Sequence, residues 1–362
     1  MRTGTGTAVW LALAVAAVSP SQARQQAPRI TGTVESREAS RGLAAEIAAL
    51  ARRDGASWVG WTAPMVAGER SMCCFESWDS RPKGRRGSCR LEKQESFTVN
   101  TFDDHAVKLE GDDTFLVMAR LKDGEVSRVR AFTMDCVLDA GGRPVTWLTG
   151  VPPAESLSWL GSLAGAEPGR RARDEVAGEA TMAIAMHRGE GADRLLASLA
   201  EGAADPQARE QAIFWIGSAR GRAGYEALRR ILKDERSEEM RKKAIFALTQ
   251  NETPGALEEI VRAAKTDLSA VVRGEAIFWL SQKAGERAAE AITEAIENDP
   301  ETEVKKKAVF ALSQLPAEEG VPRLIELARS HSNAAVRKEA MFWLGQSGDP
   351  RALAFFEEIL NG

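Results

Sequence analysis

The sequence predicts two parts: an α+β domain that contains the cysteines, then an all-α, right-handed solenoid of about six helix pairs. From about residue 170 onward the chain repeats every 32 residues, and periods between 20 and 50 residues are typical of solenoids. All four cysteines and the segments with strand character precede these repeats. We therefore divide the chain into a signal peptide (1–23), a linker (24–35), the α+β domain (36–165) and the solenoid (166–362).

Composition limits the classes of partner and chemistry. The 362 residues are 44% hydrophobic and 28% charged, which is ordinary for a globular protein. The net charge of −4 offers no basic surface, so we expect no nucleic-acid partner. Only three histidines are present (His105, His187 and His331), which restricts histidine-based catalysis.

The first residues have the pattern of a secretion signal. Arg2 is followed by an apolar run over 8–18, and Ser21 and Ala23 are small residues suited to cleavage before Arg24. The alternative is an uncleaved anchor, but the apolar run is shorter than the roughly 20 residues a bilayer span needs. We expect cleavage after Ala23, a secreted or periplasmic protein, and no integral membrane segment in the mature chain.

The cysteines fit this compartment. An even number of cysteines in an oxidising environment predicts two disulfides among Cys73, Cys74, Cys89 and Cys136. A bridge between neighbours is strained, so we expect Cys73 and Cys74 each to pair outward, one with Cys89 and one with Cys136. The alternative is a metal site, but zinc sites usually space two cysteines by two to four residues. We therefore expect no metal.

In the α+β domain, 37–54 has apolar residues at helical spacing and ends at Gly55. The runs 114–121 and 126–134 flank an Asp-Gly pair, which predicts a β-hairpin. A further strand is expected over 144–148, completing an antiparallel sheet, and 153–163 predicts a short helix that leads into the repeats.

The repeat aligns on one alanine in each unit, and each unit reads as two helices. One pair cannot cover its own apolar face, whereas stacked pairs form a continuous core. The aligned alanines are Ala180, Ala212, Ala244, Ala276, Ala308 and Ala340.

The segments VRGEAIFWLS and VRKEAMFWLG resemble the HEAT repeat, above all the short HEAT-like form first described in phycobiliprotein lyases, over about 170–361. The resemblance implies that a basic residue three before the aligned alanine braces neighbouring units. The first unit departs from the pattern, with Ala177 at the basic position and Met182 in place of Phe, which suits a cap packed on the preceding domain. The basic residues are Arg209, Arg241, Arg273, Lys305 and Arg337.

Aromatic residues follow the aligned alanine. A Phe stands two positions after it in units two to six, and the next position alternates between Trp and Ala, so the true period is 64 residues. Because the Phe lies opposite the main apolar face, these helices are apolar nearly all round. The rings either interlock between neighbouring units or form an exposed ridge that grips a partner. The tryptophans are Trp215, Trp279 and Trp343.

Glutamines form a second row, one turn after the Phe positions. Such a row can hydrogen-bond an extended peptide or a glycan, or it can satisfy carbonyl groups at the helix ends. Its members are Gln250, Gln282, Gln314 and Gln346.

These observations predict an exported scaffold or adaptor that binds a protein or peptide through the solenoid, without enzymatic activity or cofactor. One alternative is a lyase-like or metal-dependent enzyme with its site in the α+β domain, where His105 stands beside Asp103 and Asp104. Another is a structural envelope protein without a specific ligand. The sequence contains no glycine-rich phosphate loop, no G-x-S-x-G and no H-E-x-x-H, which counts against the enzyme.

Overall fold

The computed structural model describes residues 28–68, 70–74, 88–93, 100–101, 113–165, 171–283 and 286–361. In these ranges an α/β region is followed by a series of paired helices, which confirms the predicted fold class. The predicted signal peptide and His105 lie outside them. The strands are β1 (Arg29–Thr31), β2 (Val34–Glu38), β3 (Ser57–Pro64), β4 (Arg70–Ser71), β5 (Ser88–Arg90), β6 (Asn100–Thr101), β7 (Thr114–Lys122), β8 (Glu125–Thr133), β9 (Val137–Asp139) and β10 (Val145–Thr149).

The main sheet has the strand order β2-β10-β3-β7-β8. The pairs β3–β7 and β7–β8 are antiparallel, but β10 returns parallel to both β2 and β3, so the sheet is mixed rather than antiparallel. A smaller sheet has the order β1-β9-β5. The expectation of a linker over 24–35 was therefore wrong from Arg29 onward, because this segment supplies β1 and the start of β2.

The helix predicted over 37–54 is shorter in the structure. Helix α1 covers Leu43–Ala51 and begins after Gly42, whose φ of 83° favours glycine. Arg37 lies in β2 instead, because this strand pairs with β10. Its guanidinium also bonds to Glu46 on α1.

The predicted hairpin is confirmed, with β7 and β8 paired from Phe115 to Lys122. Asp123 and Gly124 form the turn with φ values of 53° and 82°. Positive φ at both positions is the requirement of a type I′ turn, which matches the twist of the flanking strands.

The main sheet is buried on both faces. Along β7, Phe115 and Val117 belong to the core shared with the helices, whereas Leu116 and Met118 belong to the core that contains the cysteines. This alternation follows from the two-residue period of a strand. Helix α2 (Pro153–Ala164) lies on the helical side with α1.

The second core contains the predicted disulfides. Cys73 pairs with Cys136 and Cys74 with Cys89, with Cα atoms 5.5 and 5.2 Å apart. Both neighbours therefore pair outward, as expected. All four residues are buried.

Twelve helices form six stacked pairs in the described part of the solenoid. The odd-numbered helices form one layer, here called the first-helix layer, and they pack on one another more closely than the even-numbered helices do. The helices are α3 (Arg171–Met186), α4 (Glu190–Gly202), α5 (Pro206–Ala219), α6 (Gly221–Asp234), α7 (Glu238–Thr249), α8 (Ala256–Thr266), α9 (Ala270–Ser281), α10 (Glu286–Asn298), α11 (Thr302–Ser313), α12 (Ala317–Ser330), α13 (Ala334–Ser347) and α14 (Pro350–Asn361).

The α/β domain and the solenoid share one hydrophobic core, because α3 packs against β8 and α2. Backbone hydrogen bonds also join them: Val66 N–H donates to the Met186 carbonyl (2.8 Å), and Arg188 N–H donates to the Pro64 carbonyl (2.9 Å). The first helix pair is thus covered by the preceding domain. Among the described residues, no helix has both the length and the apolar character of a membrane span.

Candidate binding surface of the helical repeats

The aromatic side chains of the first helices form two runs of contacting rings, Phe214 to Trp279 and Phe310 to Trp343, which are together called the aromatic row. The Phe246 ring stacks on Phe214 in the preceding unit (centroids 6.2 Å apart) and contacts Trp279 in the following unit (4.8 Å). Phe310 contacts Trp343 in the same way (4.8 Å). The row comprises Phe214, Trp215, Phe246, Phe278, Trp279, Phe310, Phe342 and Trp343.

The aromatic row is partly exposed. The three tryptophans are half-buried and pack against the shared core, whereas the side chains of Phe278 and Phe342 are 37% and 54% exposed. The rings therefore both interlock between units and present apolar area to solvent. The alternation of Trp with Ala makes this possible, since Trp279 and Trp343 each pack on the Phe of the preceding, Ala-containing unit.

The orientation of two indoles is fixed by a hydrogen bond within the helix. The Nε1–H groups of Trp279 and Trp343 donate to Glu275 and Glu339, one turn earlier, each at 2.9 Å. The third and fifth units, which lack Trp, carry Lys243 and Lys307 at the position of these glutamates, whereas the first two units carry Glu179 and Gln211. From the third unit to the sixth, the edge of the aromatic row therefore alternates between basic and acidic side chains.

All four members of the glutamine row are exposed. The backbone N–H groups of Gln250 and Gln314 close the last helical turn, by donating to Ala247 and Ala311. The side-chain amides bond only locally: Gln250 donates to the Thr249 hydroxyl at 2.9 Å. Their carbonyl oxygens face solvent and can accept hydrogen bonds from a partner.

The basic residues of the repeat lie between units. Arg241 and Arg273 each form a two-pronged ion pair with an aspartate of the following loop, Asp267 and Asp299, at 2.7 to 3.0 Å. Arg209 pairs with Glu235 in the same register. Lys305 and Arg337 bond to backbone carbonyls that precede their own helices. The carboxylates recur every 32 residues, a signal that sequence reasoning missed.

A buried polar chain joins the two domains. The Trp61 indole donates to Ser156 Oγ, which contacts His187 Nε2, both at 2.8 Å. His187 Nδ1 must donate to the Ala183 carbonyl (2.8 Å), so Nε2 of the neutral ring accepts the Ser156 hydroxyl proton. Ser156 and His187 touch like a nucleophile and its base, but both are buried and fully bonded, which leaves no room for a substrate.

Burial of His187 predicts a pH-dependent stability. Desolvation lowers its pKa from 6.5 to about 4. The His187 imidazole therefore binds a proton below about pH 6.5 in the unfolded chain, but only below about pH 4 in the folded protein. We expect this group to remove about 3 kcal/mol from the free energy of unfolding between pH 7 and pH 4.

Urea unfolding at a series of pH values measures this loss, with His187→Gln as the matched variant. The variant lacks the titrating ring, so its free energy of unfolding should fall less steeply through this window. Parallel profiles for the two proteins would contradict the assignment to His187.

Two other candidate sites were considered, one at His105 and one at the cysteine pair Cys73 and Cys136. His105 lies outside the described residues. Cys73, Cys136 and Asp135 come close enough together to hold a metal ion. However, the two sulfurs are joined to each other, and a metal site needs thiolates.

The comparisons with known proteins concern the repeats. Residues 192–281 and 289–362 match the family model of HEAT repeats, so this part of the chain consists of HEAT-type repeats. No curated protein matches the chain. Human deoxyhypusine hydroxylase in complex with glycerol is a similar solved structure, at 17% identity and a TM-score of 0.28, covering 57% of this chain and 89% of that one.

Two further solved structures are similar to this chain. The complex of CpcE and CpcF of phycocyanin lyase from Nostoc has 22% identity and a TM-score of 0.32, covering 43% of this chain and 99% of that one. Cex1p has 12% identity and a TM-score of 0.36, and the match covers 57% of this chain and 44% of Cex1p. The match to the HEAT-repeat model is what identifies the repeats.

Proposed function

We propose that this protein is an exported, non-enzymatic scaffold that binds a protein or peptide along its first-helix layer. The observation that carries the proposal is the partly exposed aromatic row beside the exposed glutamine row. Aromatic rings supply contact area at little cost in side-chain entropy, and clustered aromatics dominate the energy of many protein interfaces. The glutamine carbonyls add acceptors for backbone N–H groups of a partner.

Export is part of the same proposal. It is supported by the signal-like segment 1–23 and by the two buried disulfides, since disulfides persist in oxidising compartments. The ordered, cross-linked domain at one end of the solenoid fits a protein that works outside the cytoplasm.

The test uses residues 24–362 as the target on which a displayed library of random peptides is selected. The affinity of the enriched peptides for this protein is then measured. We expect Phe278→Ser with Phe342→Ser, and alanine at all four glutamines, each to weaken binding at least tenfold, about 1.4 kcal/mol. These residues are exposed, so the fold should survive, and circular dichroism checks it.

The matched control replaces exposed residues of the second helices, Arg230, Glu290 and Glu326, with alanine. This variant should bind as the parent does. Failure to enrich any peptide, or equal loss of binding in the control, would reject the first-helix layer as the binding surface.

A further inference from the structure

Charged side chains link neighbouring first helices beside the aromatic row. The residue directly before the aligned alanine reaches back to the residue two before the alanine of the preceding unit. In this way Lys243 bonds to Glu210 at 3.0 Å. The pKa of Lys242 is raised by its hydrogen bond to Glu239 and also by the charge of Glu275 in the following unit. Both lysines of the third unit are therefore matched by carboxylates.

The fifth unit has a lysine at this position without a matching carboxylate. Lys307 reaches back over Gly274, where an added Cβ atom would lie 2.6 Å from Lys307 Cδ and 3.0 Å from its Nζ. Lys307 is exposed, and no carboxylate of the described residues pairs with it. Gly178 in the first unit is covered in the same way, but by the neutral amide of Gln211. The Lys307 ammonium group therefore lies against α9 without a counter-charge.

The surface of α9 beneath this ammonium group is apolar. In the third and fifth units the same side of the first helix carries a glutamate bonded to a lysine. These pairs are Glu239–Lys242 and Glu303–Lys306. The fourth unit has Val271 and Gly274 at these two positions. Val271 is 47% exposed, and Phe278, one turn beyond Gly274, is 37% exposed. An unpaired cation thus stands beside exposed apolar side chains.

The break in the aromatic row lies between the same two helices. Its rings contact one another from Phe214 to Trp279 and again from Phe310 to Trp343. The break therefore falls between α9 and α11, which carry Gly274 and Lys307. An extended peptide that follows both runs of rings must cross this ammonium group, and its chain continues on both sides.

We propose that the ligand of the first-helix layer is an extended peptide with an acidic side chain between apolar ones, and that this carboxylate pairs with Lys307 above Gly274. The proposal rests on the proposed peptide binding along this layer. The apolar side chains pack on Phe278 before the break and on Phe310 after it. The carboxylate belongs to a side chain rather than to the peptide's C-terminus, because the peptide occupies both runs. The apolar neighbours exclude water from the ion pair, which strengthens the attraction.

The peptides enriched on residues 24–362 test the proposal, since they should share an acidic residue between apolar ones. Lys307→Met keeps an apolar stem and removes the charge, so it should weaken binding of such a peptide about fivefold. Replacing the peptide's acidic residue by its amide should cause the same loss with the parent protein and no further loss with the variant. The matched control is Lys243→Met, at the same position of the third unit, which should leave the affinity unchanged because Glu210 already pairs with this lysine.

A second variant, Gly274→Glu, supplies the missing carboxylate from the protein itself. The new side chain should pair with Lys307 as Glu210 pairs with Lys243, and so weaken binding of the acidic peptide at least as much as Lys307→Met does. Because glycine is a poor helix former, the variant should be no less stable than the parent, which thermal unfolding followed by circular dichroism checks.

Two results would count against the proposal, and they differ in what they reject. If no peptide is enriched, this proposal and the peptide-binding surface are rejected together. If peptides bind the first-helix layer, as judged by the loss in Phe278→Ser with Phe342→Ser, but bind equally well to the parent and to Lys307→Met, only the acidic ligand is rejected.

Discussion

Alanine at both Cys73 and Cys136 is expected to lower the free energy of unfolding of the α/β domain by about 4 kcal/mol. This crosslink joins residues 63 apart and closes a loop that contains strands β5 to β8. Without it the unfolded chain gains the conformations that the loop closure forbids. Urea unfolding followed by tryptophan fluorescence measures the change, since Trp58 lies in the same core.

The second disulfide supplies the matched comparison. Cys74 and Cys89 are only 15 residues apart and equally buried, so their alanine variant should lose about 3 kcal/mol. A larger loss of unfolding free energy for this shorter crosslink than for Cys73–Cys136 would show that loop-closure entropy does not determine which disulfide stabilises more.

Alanine at Asp299 is expected to lower the free energy of unfolding of the solenoid by about 4 kcal/mol. Asp299 and Arg273 are both buried and share two hydrogen bonds, at 2.7 and 3.0 Å. Loss of the carboxylate leaves the guanidinium buried without a counter-charge. The Glu301 backbone N–H also loses its acceptor. Urea unfolding followed by circular dichroism at 222 nm, where helices absorb, measures the loss.

The exposed pair Arg194–Glu190 is the control, because solvent screens it and its loss should cost less than about 1 kcal/mol. A second comparison replaces the buried pair by Arg273→Met with Asp299→Leu. This double variant should recover most of the stability, since no unpaired charge remains. A loss at Asp299 no greater than that at Glu190 would contradict the role assigned to the buried pair.

The repeats could be predicted from the sequence because their signals are local and periodic. Ala276 and its counterparts mark a buried face every 32 residues, and the Asp123-Gly124 turn marks the hairpin within two residues. The parallel pairing of β10 with β2 joins segments more than 100 residues apart, and no local pattern reports it. The same holds for the strand at Arg29–Thr31, whose polar sequence resembles a linker.

The candidate surface was predictable only in part. The spacing located the Trp, Phe and Gln residues on one side of the first helices. Their exposure depends on how far neighbouring rings cover one another, and this is a property of the packed stack. The chain from Trp61 through Ser156 to His187 combines three distant segments, so a lone histidine in the sequence gave no sign of it.

The alternation of Trp and Ala sets a length scale for any ligand. Neighbouring helices pack about 8 to 10 Å apart, so equivalent indoles in alternate units recur about every 16 to 20 Å along the stack. A fully extended polypeptide rises about 3.3 Å per residue and covers this distance in about five to six residues. A peptide whose side chains repeat over this distance can bind at several equivalent registers along the aromatic row. Each additional indole engaged would act at the high effective concentration of an intramolecular contact.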